Sequence, residues 1–163
     1  MTVAEATKTS ATPFVGMGQL LTAQPPVRLA SVLGSCVAVC LYHPRLRVAG
    51  MAHVVLPEST GHQGGPGKFA DTAVPALLAA LEKLTGLKAG YQAKLAGGAS
   101  MFAASGPLQI GIANAAAVKA ALAKAHVRVV SEHLGGSQGR RVEFDPATGA
   151  LSIEVQGQPA VVL

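Results

Sequence analysis

Leu29-Ala30-Ser31-Val32-Leu33-Gly34-Ser35-Cys36-Val37-Ala38-Val39-Cys40-Leu41-Tyr42 is followed, after His43-Pro44-Arg45-Leu46-Arg47, by Val48-Ala49-Gly50-Met51-Ala52-His53-Val54-Val55-Leu56 and then Pro57. Two apolar runs joined by so short a link predict an antiparallel hairpin. The second half of the first run, residues 37–41, has the β-branched content of a buried strand. Gly34-Ser35 provides a turn-like entry to it, so Cys36 stands where a loop becomes a strand. A side chain at such a junction is fixed by the strand and left accessible by the loop, which suits a nucleophile. Backbone N–H groups near Gly34 to Cys36 can also point at a developing oxyanion. Taken alone, a Cys in an apolar run is more often an inert core residue, and that reading holds for Cys40. In the hairpin, the start of the first strand lies opposite the end of the second, which brings His53 near Cys36. A thiol beside an imidazole is expected to form a thiolate–imidazolium pair, nucleophilic at neutral pH. A structural, hydrogen-bonded histidine is the alternative for His53.

Upstream of the hairpin, residues 14–22 read as a short strand interrupted by Pro25-Pro26, and residues 1–13 as a flexible tail, leaving 14–163 as one domain. Downstream, residues 58–68 are rich in Gly, Ser and Pro and read as an exposed loop. A helix follows, capped by Asp71 or Thr72, with Pro75 in its first turn and an apolar stripe of Val74, Leu77, Leu78, Leu81 and Leu84, ending at Gly86. Residues 93–96 read as a strand running into Gly97-Gly98. Asn114 is a candidate cap for a second helix over 115–125, followed by a strand at 127–131 and a hairpin of 142–144 with 151–155. Mixed helices and local hairpins predict an α+β fold, a layered α/β sandwich with a mixed, largely antiparallel sheet.

Composition narrows the function. Of 163 residues half are hydrophobic but only 4% aromatic, so the core is built from aliphatic side chains. The net charge of +5 is dispersed along the chain, without the basic stripe and interleaved aromatics of a nucleic-acid binder. Cys36 and Cys40, four apart on a strand, would be separated by about 13 Å, too far for a disulfide, and free thiols suggest a reducing, cytoplasmic setting. The opening residues are polar and do not read as a signal peptide. Residues 95–118 lack charge but are broken by Gly97, Gly98, Gly106, Pro107, Gln109 and Asn114, which argues against membrane insertion. Gly64-Gly65-Pro66-Gly67-Lys68 fails the phosphate-loop pattern, because residue 62 is His and residue 69 is Phe. Cys36, Cys40, His43 and His53 match no common zinc spacing, so no metal or cofactor is expected. Gly97-Gly98-Ala99-Ser100 either offers backbone N–H groups to a substrate carbonyl or is a plain tight turn.

Several blocks in order resemble the CheD family: residues 33–39, Gly50-Met51-Ala52-His53 with Leu56-Pro57, Lys68-Phe69-Ala70-Asp71, Ala93-Lys94-Leu95 leading to Gly97-Gly98-Ala99-Ser100-Met101-Phe102, Ile110-Gly111 with Asn114, and Gly135-Gly136 through Gly139-Arg140-Arg141-Val142. The resemblance implies a fold shared with bacterial toxin deamidases. It also implies hydrolytic deamidation of glutamines on methyl-accepting chemotaxis receptors, with the receptors' cytoplasmic helices and a CheC-type phosphatase as partners. It assigns Cys36 as nucleophile and His53 as acid–base partner. The family's third catalytic residue is a Thr shortly before the Cys; here Ser31 is the nearest hydroxyl, with Gly34, Ser35, Gly97, Gly98 and Ser100 as candidate substrate-binding residues. Ala113 stands where many members carry Arg, and His133 where an acidic residue is common. A binding module with weakened catalysis is the alternative that these departures suggest.

Overall fold

A computed structural model describes residues 3–5, 11–100 and 109–163. Ten strands and two helices lie among them: β1 (Val3–Glu5), β2 (Leu20–Ala23), β3 (Leu29–Leu33), β4 (Val37–His43), β5 (Val48–Val54), α1 (Ala70–Thr85), β6 (Gln92–Gly97), α2 (Ile110–Lys124), β7 (Arg128–Leu134), β8 (Arg140–Phe144), β9 (Leu151–Glu154) and β10 (Val161–Val162). A six-stranded sheet runs β1-β2-β5-β4-β6-β7 and a four-stranded sheet runs β10-β9-β8-β3. The outer pairs β1/β2 and β6/β7 are parallel, and every other pairing is antiparallel.

The long apolar run at 29–42 is divided between the two sheets. Residues 29–33 become β3 at the edge of the smaller sheet, and residues 34–36 turn the chain into β4 at the centre of the larger one. The β4–β5 hairpin forms as the sequence predicts, from His43↔Val48 to Val37↔Val54. Both strands are buried along their whole length because each face is covered. On one face, Val37, Val39 and Leu41 meet α1 and α2; on the other, Cys36, Ala38, Cys40 and Tyr42 meet the second sheet. The result is three layers, helices on sheet on sheet, with two apolar cores. Each fully buried Val or Leu contributes about 1.5–3 kcal/mol relative to exposure, so these cores hold the sandwich without aromatic bulk.

Local boundaries depart from the sequence reading in four places. The strand read at 14–22 begins only at Leu20; Phe14 makes a single bridge to Ala30. Within the stretch read as a tail, Val3–Glu5 pair with residues 20–22 of β2, and the rest of residues 1–10 lie outside the described residues. Helix α1 starts at Ala70 without a side-chain cap. Asp71 instead accepts hydrogen bonds from Ser59, Thr72 donates to the Pro66 carbonyl, and Pro75 therefore falls one turn further in. Helix α2 begins at Ile110, which places Asn114 in its second turn rather than at its cap. Met101-Phe102 of the family-like motif, with Gly106 and Pro107, lie outside the described residues.

Candidate active site

The β4–β5 ladder ends at Val37↔Val54, and beyond that rung the two strands part. On the β5 side, the N–H groups of Val55 and Leu56 both donate to the Lys68 carbonyl, at 2.8 and 3.0 Å. On the β4 side, the Cys36 carbonyl accepts from Gly98 N–H at 2.9 Å and the Gly34 carbonyl from Ala99 N–H at 3.0 Å. Gly97 makes this brace possible. Its φ is +112°, and a Cβ there would lie 2.1 Å from the Cys36 carbonyl oxygen. Cys36 thus sits at the mouth of a fork, on a turn tied down by its carbonyls. The amides of Gly34 and Ser35 donate no hydrogen bond within the described residues, and that of Cys36 faces its own sulfur.

Cys36 and Ala38 face the inter-sheet core, and His53 is the cross-strand partner of Ala38. Cys36 and His53 are therefore diagonal neighbours on one face of the sheet. Within a regular ladder such positions lie about 7–8 Å apart across the strands, within reach of side chains of this length. From the opposite sheet, Ser31 of β3 points into the same layer, fully buried. Its Oγ donates to the Val15 carbonyl at 2.7 Å and lies 2.9 Å from His53 Nδ1. His53 Nδ1 is also 3.0 Å from the Val15 carbonyl. A carbonyl oxygen only accepts, and the Ser31 proton is committed to it, so Nδ1 must carry the imidazole hydrogen. The neutral ring then has its lone pair on Nε2, which has no hydrogen-bond partner among the described residues. The segment before β2 grips the His53 backbone as well: Gly18 N–H donates to the His53 carbonyl, and His53 N–H to the Gln19 carbonyl, both at 2.9 Å.

Burial sets the charge state. Cys36 is 9% exposed and His53 only 2%. Desolvation pushes the Cys36 thiol above its ordinary range, opposed by its own backbone amide. Desolvation likewise holds the His53 imidazole below its ordinary value, opposed by the Val15 carbonyl. Both directions favour the neutral thiol and the neutral imidazole over the ion pair expected from the residue types alone. A chemical step would begin with proton transfer from sulfur to Nε2 as the sulfur attacks, in the manner of general-base activation.

Of the remaining candidates, Gly34 and Ser35 form the turn that carries Cys36. Gly97 and Gly98 brace that turn, and Ser100 N–H donates to the Gly136 carbonyl at 2.9 Å. The amides of Gly98, Ala99 and Ser100 are thus already bonded to protein carbonyls, which favours the tight-turn alternative for this segment. Cys40 is fully buried, its thiol raised strongly by desolvation, and both cysteines are free. Among the described residues no cluster of three or more His, Cys, Asp or Glu could hold a metal ion.

Two participants escape sequence reasoning. Val15 acts through its backbone carbonyl, which leaves no trace in residue type. Asn114 is fully buried, and its Nδ2 donates to the carbonyls of Ser35 at 3.1 Å and Val55 at 2.9 Å. A signal for it exists: Gly111, Asn114, Val118 and Leu122 fall at helical spacing and are the buried stripe of α2. Gly111 lets that helix come close, since a Cβ there would lie 2.4 Å from the Ala99 carbonyl.

Residues 55–155 match the family model described as CheD chemotactic sensory transduction. A probable chemoreceptor glutamine deamidase CheD from Clostridium kluyveri is 45% identical, covering 88% of this chain and 92% of that protein. The chemoreceptor glutamine deamidase CheD of Thermotoga maritima is 41% identical, covering 88% and 91%. Among solved structures, YlmD from Geobacillus stearothermophilus superposes with a TM-score of 0.51 at 14% identity. It covers 83% of this chain, which spans 58% of the YlmD chain, a likeness of fold alone.

Proposed function

The chain belongs to the CheD family, and from that premise we propose that it hydrolyses the side-chain carboxamide of chemoreceptor glutamines to glutamate, with Cys36 as nucleophile and His53 as acid and base. The observation that carries this reading is the pair of contacts at His53 Nδ1, from Ser31 Oγ and the Val15 carbonyl, which leaves Nε2 as the free base on the sheet face that Cys36 shares.

As the Cys36 sulfur bonds to the carboxamide carbon, its proton passes to His53 Nε2. The carbonyl oxygen takes up the displaced electron pair, and the unengaged amides of Gly34 and Ser35 are the donors available to it. When the C–N bond breaks, the imidazolium returns its proton to the departing nitrogen and ammonia leaves. Water then attacks the thioester, giving a proton to Nε2. The C–S bond breaks, and the proton returns to sulfur as glutamate is released. Ser31 and Val15 hold the ring and its tautomer throughout, in the orienting role of the third member of a triad. Gly34 and Ser35 form the floor under the reacting carbon, and Gly97, Gly98 and Ser100 keep that floor in place.

The substrates of this reading are the receptors' cytoplasmic helices, which puts the protein in the cytoplasm; no helix among the described residues is long and apolar enough to cross a membrane. The deamidase domain is assigned to residues 14–163, with Val3–Glu5 added as an edge strand of its larger sheet, and a CheC-type phosphatase is its further partner.

The test incubates a receptor cytoplasmic fragment with the protein and with Cys36→Ala. Mass spectrometry then follows the mass gain of a carboxamide becoming a carboxylic acid. Wild type is expected to convert defined glutamines and Cys36→Ala none. Equal conversion by both proteins would remove the thiol mechanism. No conversion by either, with retained binding to a phosphatase partner, would leave only the docking module.

A further inference from the structure

We propose that Asn114 is a positioning residue of the active site: its carboxamide replaces the missing rung between the parting strands and so fixes the distance from thiol to imidazole. The inference rests on the deamidase reading above. Continued by one register, the β4–β5 ladder would pair residue 36 with residue 55. Hydrogen-bonded and open pairs alternate along an antiparallel ladder, and with the Cys36 carbonyl turned to Gly98 and the His53 backbone turned to the segment before β2, that pair is an open one. The next hydrogen-bonded rung would join Ser35 and Leu56, and it is absent because Leu56 N–H donates to the Lys68 carbonyl instead. The two strands therefore part beside Cys36. This leaves the two catalytic strands without a direct backbone bond at the level of the chemistry. Asn114 Nδ2 enters that gap from α2 and donates one hydrogen to Ser35, the residue before the nucleophile, and the other to Val55, two residues after the histidine.

The orientation of the amide is not ambiguous. Turned over, its oxygen would face two carbonyl oxygens with no proton between them. The Asn114 oxygen itself is buried without a partner among the described residues. Burying an unsatisfied acceptor is unfavourable, so an apolar residue would pack there at less cost if filling space were all that mattered. What the amide adds is two donors at the one place where both site-bearing segments present a free carbonyl. The close seat of Gly111 against Gly98 and Ala99 anchors the helix that delivers it, on the same brace that holds Cys36.

Displacing a reacting pair by about 1 Å can cost on the order of a hundredfold in rate without changing substrate affinity. Deamidation kinetics on a receptor fragment should therefore be measured for wild type, Asn114→Ala and Asn114→Asp, with thermal unfolding of each. Asn114→Ala is expected to lose about ten- to a hundredfold in kcat with KM within about twofold of wild type. Asn114→Asp has nearly the same shape but presents a carboxylate to two carbonyls, so at neutral pH it should lose at least as much. It should regain activity relative to wild type as acid protonates it and restores one donor. Asn114→Asp with wild-type kcat would overturn the proposal, because shape alone would then suffice. A loss confined to KM, or one that only tracks the unfolded fraction, would overturn it too. Should the Asp variant fail to fold, the kcat and KM of the Ala variant decide the matter. Activity surviving Cys36→Ala would strike the deamidase mechanism itself. Wild-type kcat in both Asn114 variants, with Cys36→Ala inactive, would strike only the positioning role.

Discussion

Replacing Ser31 by Ala separates an orienting hydroxyl from a reacting one. Ser31 Oγ sits 2.9 Å from His53 Nδ1 and donates to the Val15 carbonyl at 2.7 Å. Its removal deletes both contacts but orphans nothing, because the Val15 carbonyl keeps the Nδ1–H at 3.0 Å. The stability cost should therefore be that of one net hydrogen bond, about 0.5–1.5 kcal/mol, rather than the larger penalty of a stranded buried group. For catalysis the same backup matters. The tautomer stays fixed and Nε2 stays free, and only the second restraint on the ring is lost. If that restraint is fully expressed in the transition state, about 0.5–1.5 kcal/mol corresponds to roughly two- to tenfold in kcat. The assay is a time course of glutamine conversion on a receptor fragment, read by mass spectrometry, alongside thermal unfolding. A loss of a thousandfold or more would refute the orienting role, since it would require the hydroxyl to take part in bond making. Unchanged kcat with a fall in stability would refute it from the other side, reducing Ser31 to a packing residue.

Two further outcomes follow from the same geometry. The imidazole of His53 is held below its ordinary value of 6.5 by burial, so in mild acid the unfolded chain takes up a proton that the folded one resists. Stability should therefore fall as pH drops through and below that ordinary value and be independent of this group above it. His53→Gln should flatten the dependence of melting temperature on pH in that window, and an unaltered slope would assign the acid sensitivity elsewhere. Gly97→Ala should destabilise by at least about 1–3 kcal/mol, since it forces a side chain into backbone space that glycine alone fills comfortably. The added Cβ would lie 2.1 Å from the Cys36 carbonyl, so any folded fraction should show depressed kcat; wild-type activity in a stable Gly97→Ala protein would show that the brace does not govern the nucleophile.

The hairpin was legible because both of its strands are long, apolar and joined by only four residues, 44–47, and pairing register follows from so short a link. The division of the preceding run was not. Residues 29–33 and 37–43 are equally apolar, and what separates them is the partner each finds. β4 is covered on both faces, whereas β3 lies at an edge and leaves Val32 52% exposed. Alternation around a single exposed valine is too slight a signal to announce a second sheet. The cap at Asn114 was misread for a related reason. Asn before an alanine-rich run is a strong cap pattern, yet here tertiary hydrogen bonds recruit the amide and the helix continues through it. Charge state is a third case, since residue types suggest an ion pair while burial raises the thiol and lowers the imidazole.

Cys36 and His53 could be proposed together because both lie on one hairpin, but the site as built belongs to neither sheet alone. Ser31 comes from β3 in the four-stranded sheet, His53 from β5 in the six-stranded sheet, and Cys36 from the turn that carries the chain between them. The His53 tautomer is set across the inter-sheet layer, through Ser31 and through the Val15 carbonyl. The segment carrying Val15 is itself fastened to β3, by Val15 N–H to the Ala30 carbonyl and Ala30 N–H to the Pro13 carbonyl. Any change in the spacing of the two sheets therefore moves the orienting group relative to the ring it orients, while leaving the hairpin intact. Interior packing of this density resists such sliding, and the aliphatic core around Leu29, Leu33, Met51 and Val142 is thus part of what keeps the imidazole aimed.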